Sequence, residues 1–163
     1  MSCVVGCPYE GYIKPSQVTK VVEKLLDMGC YEVSLGDTVG VGNPKTMNKL
    51  LTELNSCVNG KMDLLAIHCH DTYGMALVNI LQALEHGINV IDSSCAGLGG
   101  CPYAKGASGN VATEDVLYML NSLGVTTGVD MEKILETSEF ILSVLNRSPM
   151  SKVAMAMGAK KSK

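Results

Sequence analysis

The chain has 163 residues and a mass of 17.3 kDa, room for one domain of ordinary size and too little for two. Hydrophobic residues make up 47%, charged residues 18%, and the formal net charge is -3; this balance argues against disorder, a basic nucleic-acid footprint and an electrostatic membrane anchor. Apolar runs stay shorter than the ~18 residues of a membrane span, and the opening residues lack the basic start and apolar run of a signal peptide. Seven cysteines at irregular spacing fit a reduced, intracellular chain better than a disulfide framework.

In chain order, the apolar run Cys3-Val4-Val5 ends at Gly6 and reads as a first strand. Residues 14–28 carry Val18, Val21, Val22, Leu25 and Leu26 at helical spacing, with Pro15 near the start and Gly29 as the stop. Tyr31-Glu32-Val33-Ser34-Leu35 alternates as a strand does and closes at Gly36. Asn43 as N-cap and Pro44 at the first helical position open a second helix, with Met47, Leu50, Leu51 and Leu54 on one face. Leu64-Leu65-Ala66-Ile67-His68 reads as a strand buried on both faces, followed by a helix over residues 74–85 that stops at His86-Gly87. Ile88-Asn89-Val90-Ile91-Asp92 is the fourth strand. A long Gly-rich segment, residues 93–110, then leads to a helix opened by Thr113, with Glu114 and Asp115 in its first turn. A final helix covers residues 130–145, and the domain over residues 1–149 is expected to end in a flexible tail, residues 150–163.

The order β-α-β-α-β-α-β-α-α, with strands that read as continuous apolar runs, is that of an α/β fold whose parallel sheet is covered by helices. A small open doubly wound sheet and half of a TIM (β/α)8 barrel both satisfy it. The chemistry-bearing residues lie just past the C-terminal ends of strands, which leans toward the barrel.

His68-Cys69-His70-Asp71 is the sharpest local signal. Residues i and i+2 at a strand end face the same way, so two imidazoles can converge on one metal ion while Cys69 points to the other face. The alternative is a pair of ordinary hydrogen-bonded histidines; that two of only three histidines sit together there favours the metal. Oxygen ligands would complete a shell for Mn or Mg. Asp37, after the second strand, is either a turn residue or an acid that orients a ligand. The loop over residues 97–110 has no Gly-Lys-Ser/Thr pair and so is no P-loop; its length marks a binding loop or lid. Within it, Cys101 is a candidate for proton transfer or a small buried hydrophobe. Asn110 is a turn residue or an amide-oxygen ligand. The cysteines at 3, 7, 30, 57 and 95 are too scattered for a structural zinc site.

Together these residues resemble the C-terminal part of the 3-hydroxy-3-methylglutaryl-CoA lyase family. The likeness runs from Ser2-Cys3-Val4-Val5-Gly6-Cys7-Pro8-Tyr9-Glu10-Gly11 to about Val153. It is most specific in Ser34-Leu35-Gly36-Asp37-Thr38, in His68-Cys69-His70-Asp71-Thr72-Tyr73-Gly74 and across residues 97–110. The His-x-His-Asp element is shared with related synthases, including those of isopropylmalate and homocitrate, which carry a Gly-Glu-Arg loop where this chain has Gly99-Gly100-Cys101-Pro102-Tyr103.

The resemblance implies a TIM barrel of which this chain supplies about the last four βα units plus C-terminal helices. It implies metal-assisted cleavage of 3-hydroxy-3-methylglutaryl-CoA to acetyl-CoA and acetoacetate, as in ketone-body formation and leucine degradation. His68, His70 and Asn110 would be ligands of Mg2+ or Mn2+, Cys101 the catalytic cysteine on a mobile loop, and Asp37 and Glu114 supporting acids. Also implied are an acyl-CoA substrate, a homodimer for the full-length family, and the mitochondrial matrix or the cytosol as compartment; no nucleic-acid partner and no membrane span are expected. The family's Arg-Asp pair on the first strand of the full barrel has no counterpart here, so the chain alone is expected to be inactive. A Claisen-type acyl-CoA synthase, or a non-catalytic product that pairs with a full-length subunit, is the competing reading.

Overall fold

Apolar strands between amphipathic helices dictate a covered sheet, and the computed structural model, which describes residues 1–100 and 109–161, contains one. Strands β3 (Val33–Asp37), β4 (Leu65–Cys69) and β5 (Val90–Asp92) are parallel and lie in that order. Before them come a two-residue antiparallel pair, β1 (Gly6–Cys7) and β2 (Gly11–Tyr12). The helices between are α1 (Pro15–Asp27), α2 (Pro44–Cys57) and α3 (Ala76–Glu85), packed α1 on α2 and α2 on α3. Asn43 caps α2 as its sequence demands: its Oδ1 accepts from Lys45 N and Thr46 N at 3.1 and 3.2 Å, while Asn43 N donates back to Thr46 Oγ1.

Alternation along the strands sorts their side chains. Val33, Leu35, Leu65 and Ile67 face the helices and are buried, against a layer that includes Val22, Leu51, Leu54 and Ile80. Ser34, His68 and Asp92 occupy the opposite face and are half-buried.

The expected first strand does not form over Cys3-Val4-Val5. Cys3 sits at φ +59, a left-handed conformation that breaks an extended run. The segment instead touches β3 at two backbone bonds, Val4 N to Gly36 O at 3.0 Å and Gly36 N to Met1 O at 2.8 Å. β3 also starts two residues later than its alternation suggests, because the ladder with β4 runs from Val33–Leu65 to Asp37–Cys69.

The chain divides into two compact units, and these strands and helices all belong to the first, Met1–Asp92. The described residues of the second, 93–99 and 109–161, carry a 3₁₀ turn at Cys95–Gly97, then α4 (Thr113–Ser122), α5 (Met131–Leu145) and α6 (Lys152–Lys161). Helix α6 corrects the expectation of a flexible tail from residue 150. Asp115 in the first turn of α4 accepts from Ser151 Oγ at 2.8 Å, Val153 N at 2.9 Å and Lys152 N at 3.3 Å. It thereby caps α6 from outside, and α6 packs on α4. Among the described residues no helix is long and apolar enough to cross a membrane.

Candidate active site

His68 is the fourth residue of β4 and His70 follows the strand's last residue. The intervening Cys69 turns to the helix side, where it is fully buried. The two imidazole rings stand with centroids 5.3 Å apart and planes at 59°. His70 is 6% exposed, and its Nδ1 has no hydrogen-bond partner among the described residues. Burial holds the His70 pKa below the usual imidazole value, and His68 adds in the same direction; both favour the neutral ring, the form that ligates. A buried ring nitrogen without a partner is uncommon, and His70 lines a cavity.

Both rings open into a cavity of about 210 Å³ that Ser34, Thr38 and Asp92 also line. The sequence reading named neither Ser34 nor Asp92 as a site residue. Their signal lies in strand alternation, which puts Ser34, His68 and Asp92 on one face once the register is known. Among the described residues no group of three or more His, Cys, Asp or Glu is placed to hold a metal ion.

Asp37 is placed differently from expectation. Level with Cys69, it lies on the helix-facing side of the sheet and is fully buried. Its carboxylate accepts Val41 N at 3.1 Å and Gly42 N at 2.9 Å, and its backbone oxygen accepts from His70 N at 3.3 Å. Burial raises its pKa, while the N–H groups of Gly42, Val41 and Gly40 pull the other way. A Cβ on Gly42 would stand 2.6 Å from Asp37 Oδ2 and 3.1 Å from Asn79 Nδ2, so only glycine lets this loop close over the acid. Asp37 ties down the loop after β3 and, through its backbone, the start of the His70 segment.

The second unit holds Asn110 and Glu114. Asn110 Nδ2 donates to Leu98 O at 2.8 Å, which commits the nitrogen and turns the amide oxygen the other way. A Cβ on Gly99, at φ +99, would lie 2.7 Å from that nitrogen. Glu114 is fully buried; its carboxylate accepts Ala96 N at 2.9 Å and the Ser138 hydroxyl of α5. It braces the turn at Cys95–Gly97, where Ala96 sits at φ +58, a conformation that costs a non-glycine residue about 1–3 kcal/mol. Cys101 lies outside the described residues. A larger cavity, about 620 Å³, lies between α5 and α6 and takes in none of the candidate residues.

Comparison with known proteins gives this geometry its context. The chain is 59% identical over 156 residues to a cytoplasmic 3-hydroxy-3-methylglutaryl-CoA lyase of Danio rerio and, at the same identity and length, to a mitochondrial hydroxymethylglutaryl-CoA lyase of Mus musculus. The match takes in 96% of this chain and 46% and 47% of those proteins, so the chain spans about half the length of these relatives. Equal identity to both favours neither compartment. The crystal structure of hydroxymethylglutaryl-CoA lyase from Pseudomonas aeruginosa superposes with a TM-score of 0.92 at 55% identity, over 98% of this chain and 52% of that one. A lyase from Acinetobacter baumannii, solved in complex with coenzyme A and 3-methylmalate, superposes at 0.88 with 35% identity over 95% of this chain and 50% of its own. The carboxyl transferase domain of Rhizobium etli pyruvate carboxylase, at 21% identity and a TM-score of 0.66, shares the fold alone. The fold is thus that of these lyases, with three parallel strands of a partial barrel among the described residues. The HMGL-like family model matches residues 1–141, and the chain belongs to that family.

Proposed function

We propose that this chain carries the imidazole- and thiol-bearing portion of a carbon–carbon lyase that cleaves 3-hydroxy-3-methylglutaryl-CoA to acetyl-CoA and acetoacetate. The observation that carries the reading is the close histidine pair, with its unpartnered His70 Nδ1, at the end of β4, in a chain 59% identical to such lyases. Coenzyme A and a branched hydroxy-dicarboxylate, the ligands of the Acinetobacter relative, correspond to the two parts of that substrate.

In this reaction the tertiary hydroxyl loses its proton and becomes the acetoacetate ketone. The electrons of the adjacent carbon–carbon bond pass to the carbon alpha to the thioester carbonyl, which takes up a proton to give acetyl-CoA. The resemblance would place a hard divalent cation, Mg2+ or Mn2+, on neutral imidazoles from His68 and His70 and would add the amide oxygen of Asn110. Such a cation, when bound, lowers the hydroxyl's pKa and fixes its orientation. Cys101 delivers the proton to the departing carbon. Asp37 and Glu114 act as positioning residues: Asp37 closes the loop beside His70, and Glu114 braces the turn whose Leu98 carbonyl orients Asn110.

The test supplies the portion of the relatives that this chain does not match, by co-expression with the N-terminal part of the Danio rerio lyase. Acetyl-CoA release from 3-hydroxy-3-methylglutaryl-CoA in the presence of Mn2+ is the expected result, abolished by His70→Ala and by Cys101→Ser. Release that survives both substitutions, or none in a folded assembly, overturns the reading.

A further inference from the structure

One pair of side chains in the histidine cavity has no part in the proposed chemistry. Ser34 on β3 and Asp92 on β5 belong to strands that do not touch, since β4 runs between them. Their side chains nevertheless meet: the Ser34 hydroxyl donates to Asp92 Oδ2 at 2.6 Å, a short bond of the charge-assisted kind. The register says what this bridge crosses. Ser34 is level with Ala66 and Asp92 with His68, so the bridge runs diagonally over Ala66 and reaches the foot of His68. Ala66 shares the face of the half-buried His68, yet it is fully buried. A methyl group leaves room for the bridge above it; a larger side chain would stand in its path.

The same register isolates the carboxylate as the neighbour of the imidazole. Gly36 is level with His68 on one side and Asp92 on the other. Gly36 offers no side chain, and Met1 and Ser2 pack over it, the Met1 ammonium donating to Ser34 O at 2.7 Å; across this row the one side chain level with His68 is the Asp92 carboxylate. Both members of the bridge line the cavity into which His68 and His70 open.

We infer that Asp92 is a positioning residue for the histidine site: an outer carboxylate, aimed by Ser34, that sets a fixed negative charge against the cavity where a divalent cation binds. The inference rests on the proposed metal reading. Asp92 stands outside the proposed ligand set, its Oδ2 held by the Ser34 hydroxyl. Carboxylates just outside a ligand set alter metal affinity by about 10–100-fold when removed. Because Asp92 is only half-buried, part of its effect is screened by salt, and that dependence is its signature.

The experiment titrates the 163-residue chain with Mn2+, following water-proton relaxation at low and high ionic strength, with far-UV circular dichroism to confirm folding. Asp92→Asn is expected to weaken Mn2+ binding about 10–100-fold and to flatten its salt dependence, which a merely structural residue would leave unchanged. Ser34→Ala keeps the charge and loses its tether, so affinity falls less and the salt dependence persists; Asp92→Glu recovers part of the loss. A folded Asp92→Asn chain that binds Mn2+ with unchanged affinity and salt dependence overturns the inference and leaves the metal reading standing. Absence of Mn2+ binding both in the unsubstituted chain and in its assembly with the N-terminal part of the Danio rerio lyase overturns the metal reading itself, and this inference with it; where the assembly alone binds, the same substitutions are titrated there.

Discussion

Glu114 shows what a buried acid in this chain is for. Its carboxylate has two partners on different elements, Ala96 N and the Ser138 hydroxyl, and neither is placed to react. Removing the hydroxyl with Ser138→Ala leaves a buried acceptor short of a donor, at a cost of about 1–3 kcal/mol, to be read as a lower urea midpoint. The cysteines separate by the same reasoning. Burial, with smaller contributions from Asp37 and Asp71, pushes the Cys69 thiol well above its ordinary range, whereas Cys30 is exposed. At about pH 8 iodoacetamide is therefore expected to modify Cys30 in the native chain and Cys69 only after unfolding, as peptide mass spectrometry would show. The histidine pair was legible in the sequence because its geometry is local: two residues apart on a strand must share a face. Asp37 was not, because the strand's alternation appeared to end at Leu35, whereas the ladder continues to Asp37 and fixes its side chain toward the helices. Ser34 and Asp92, 58 residues apart, become neighbours only through the order of the strands.

At the scale of elements, caps decided which segments the sequence disclosed. Helix α2 was visible because Asn43 and Thr46 sit beside the segment they cap. Helix α6 was missed although Ser151 caps it locally, accepting from Ala154 N at 3.0 Å; its Lys-rich end reads as a frayed one, and the further cap, Asp115, lies 36 residues upstream of Ser151. Asp115→Ala should cost about 0.5–2 kcal/mol and raise the hydrogen-exchange rates of the α6 amides toward those of an open chain. Unchanged exchange at Val153 would show that packing on α4 alone holds the helix. The expected first strand is absent for a different reason: the run Cys3-Val4-Val5 does bury Val4 and Val5, but as an irregular segment against β3.

At the scale of the molecule, the question is how much of a lyase these residues contain. The chain covers 46% and 47% of two lyases to which it is 59% identical, and the proposed ligands, two imidazoles and one amide, would supply three donors toward the roughly six that Mg2+ or Mn2+ prefers. Assayed alone with Mn2+, the chain is expected to release no acetyl-CoA above background in a coupled assay. Turnover within about tenfold of a full-length relative, a difference of only ~1.4 kcal/mol in barrier, would show that these residues suffice. The orientation of Cys69 also bears on ion choice. Strand β4 delivers nitrogen, sulfur, nitrogen in succession, and the pleat sends the sulfur into the dry helix layer. A slip of one position would exchange the imidazoles for the thiol and make the mouth thiophilic, open to zinc and copper(I). Pleat parity thus keeps the softest donor of the strand out of the cavity that the two imidazoles line.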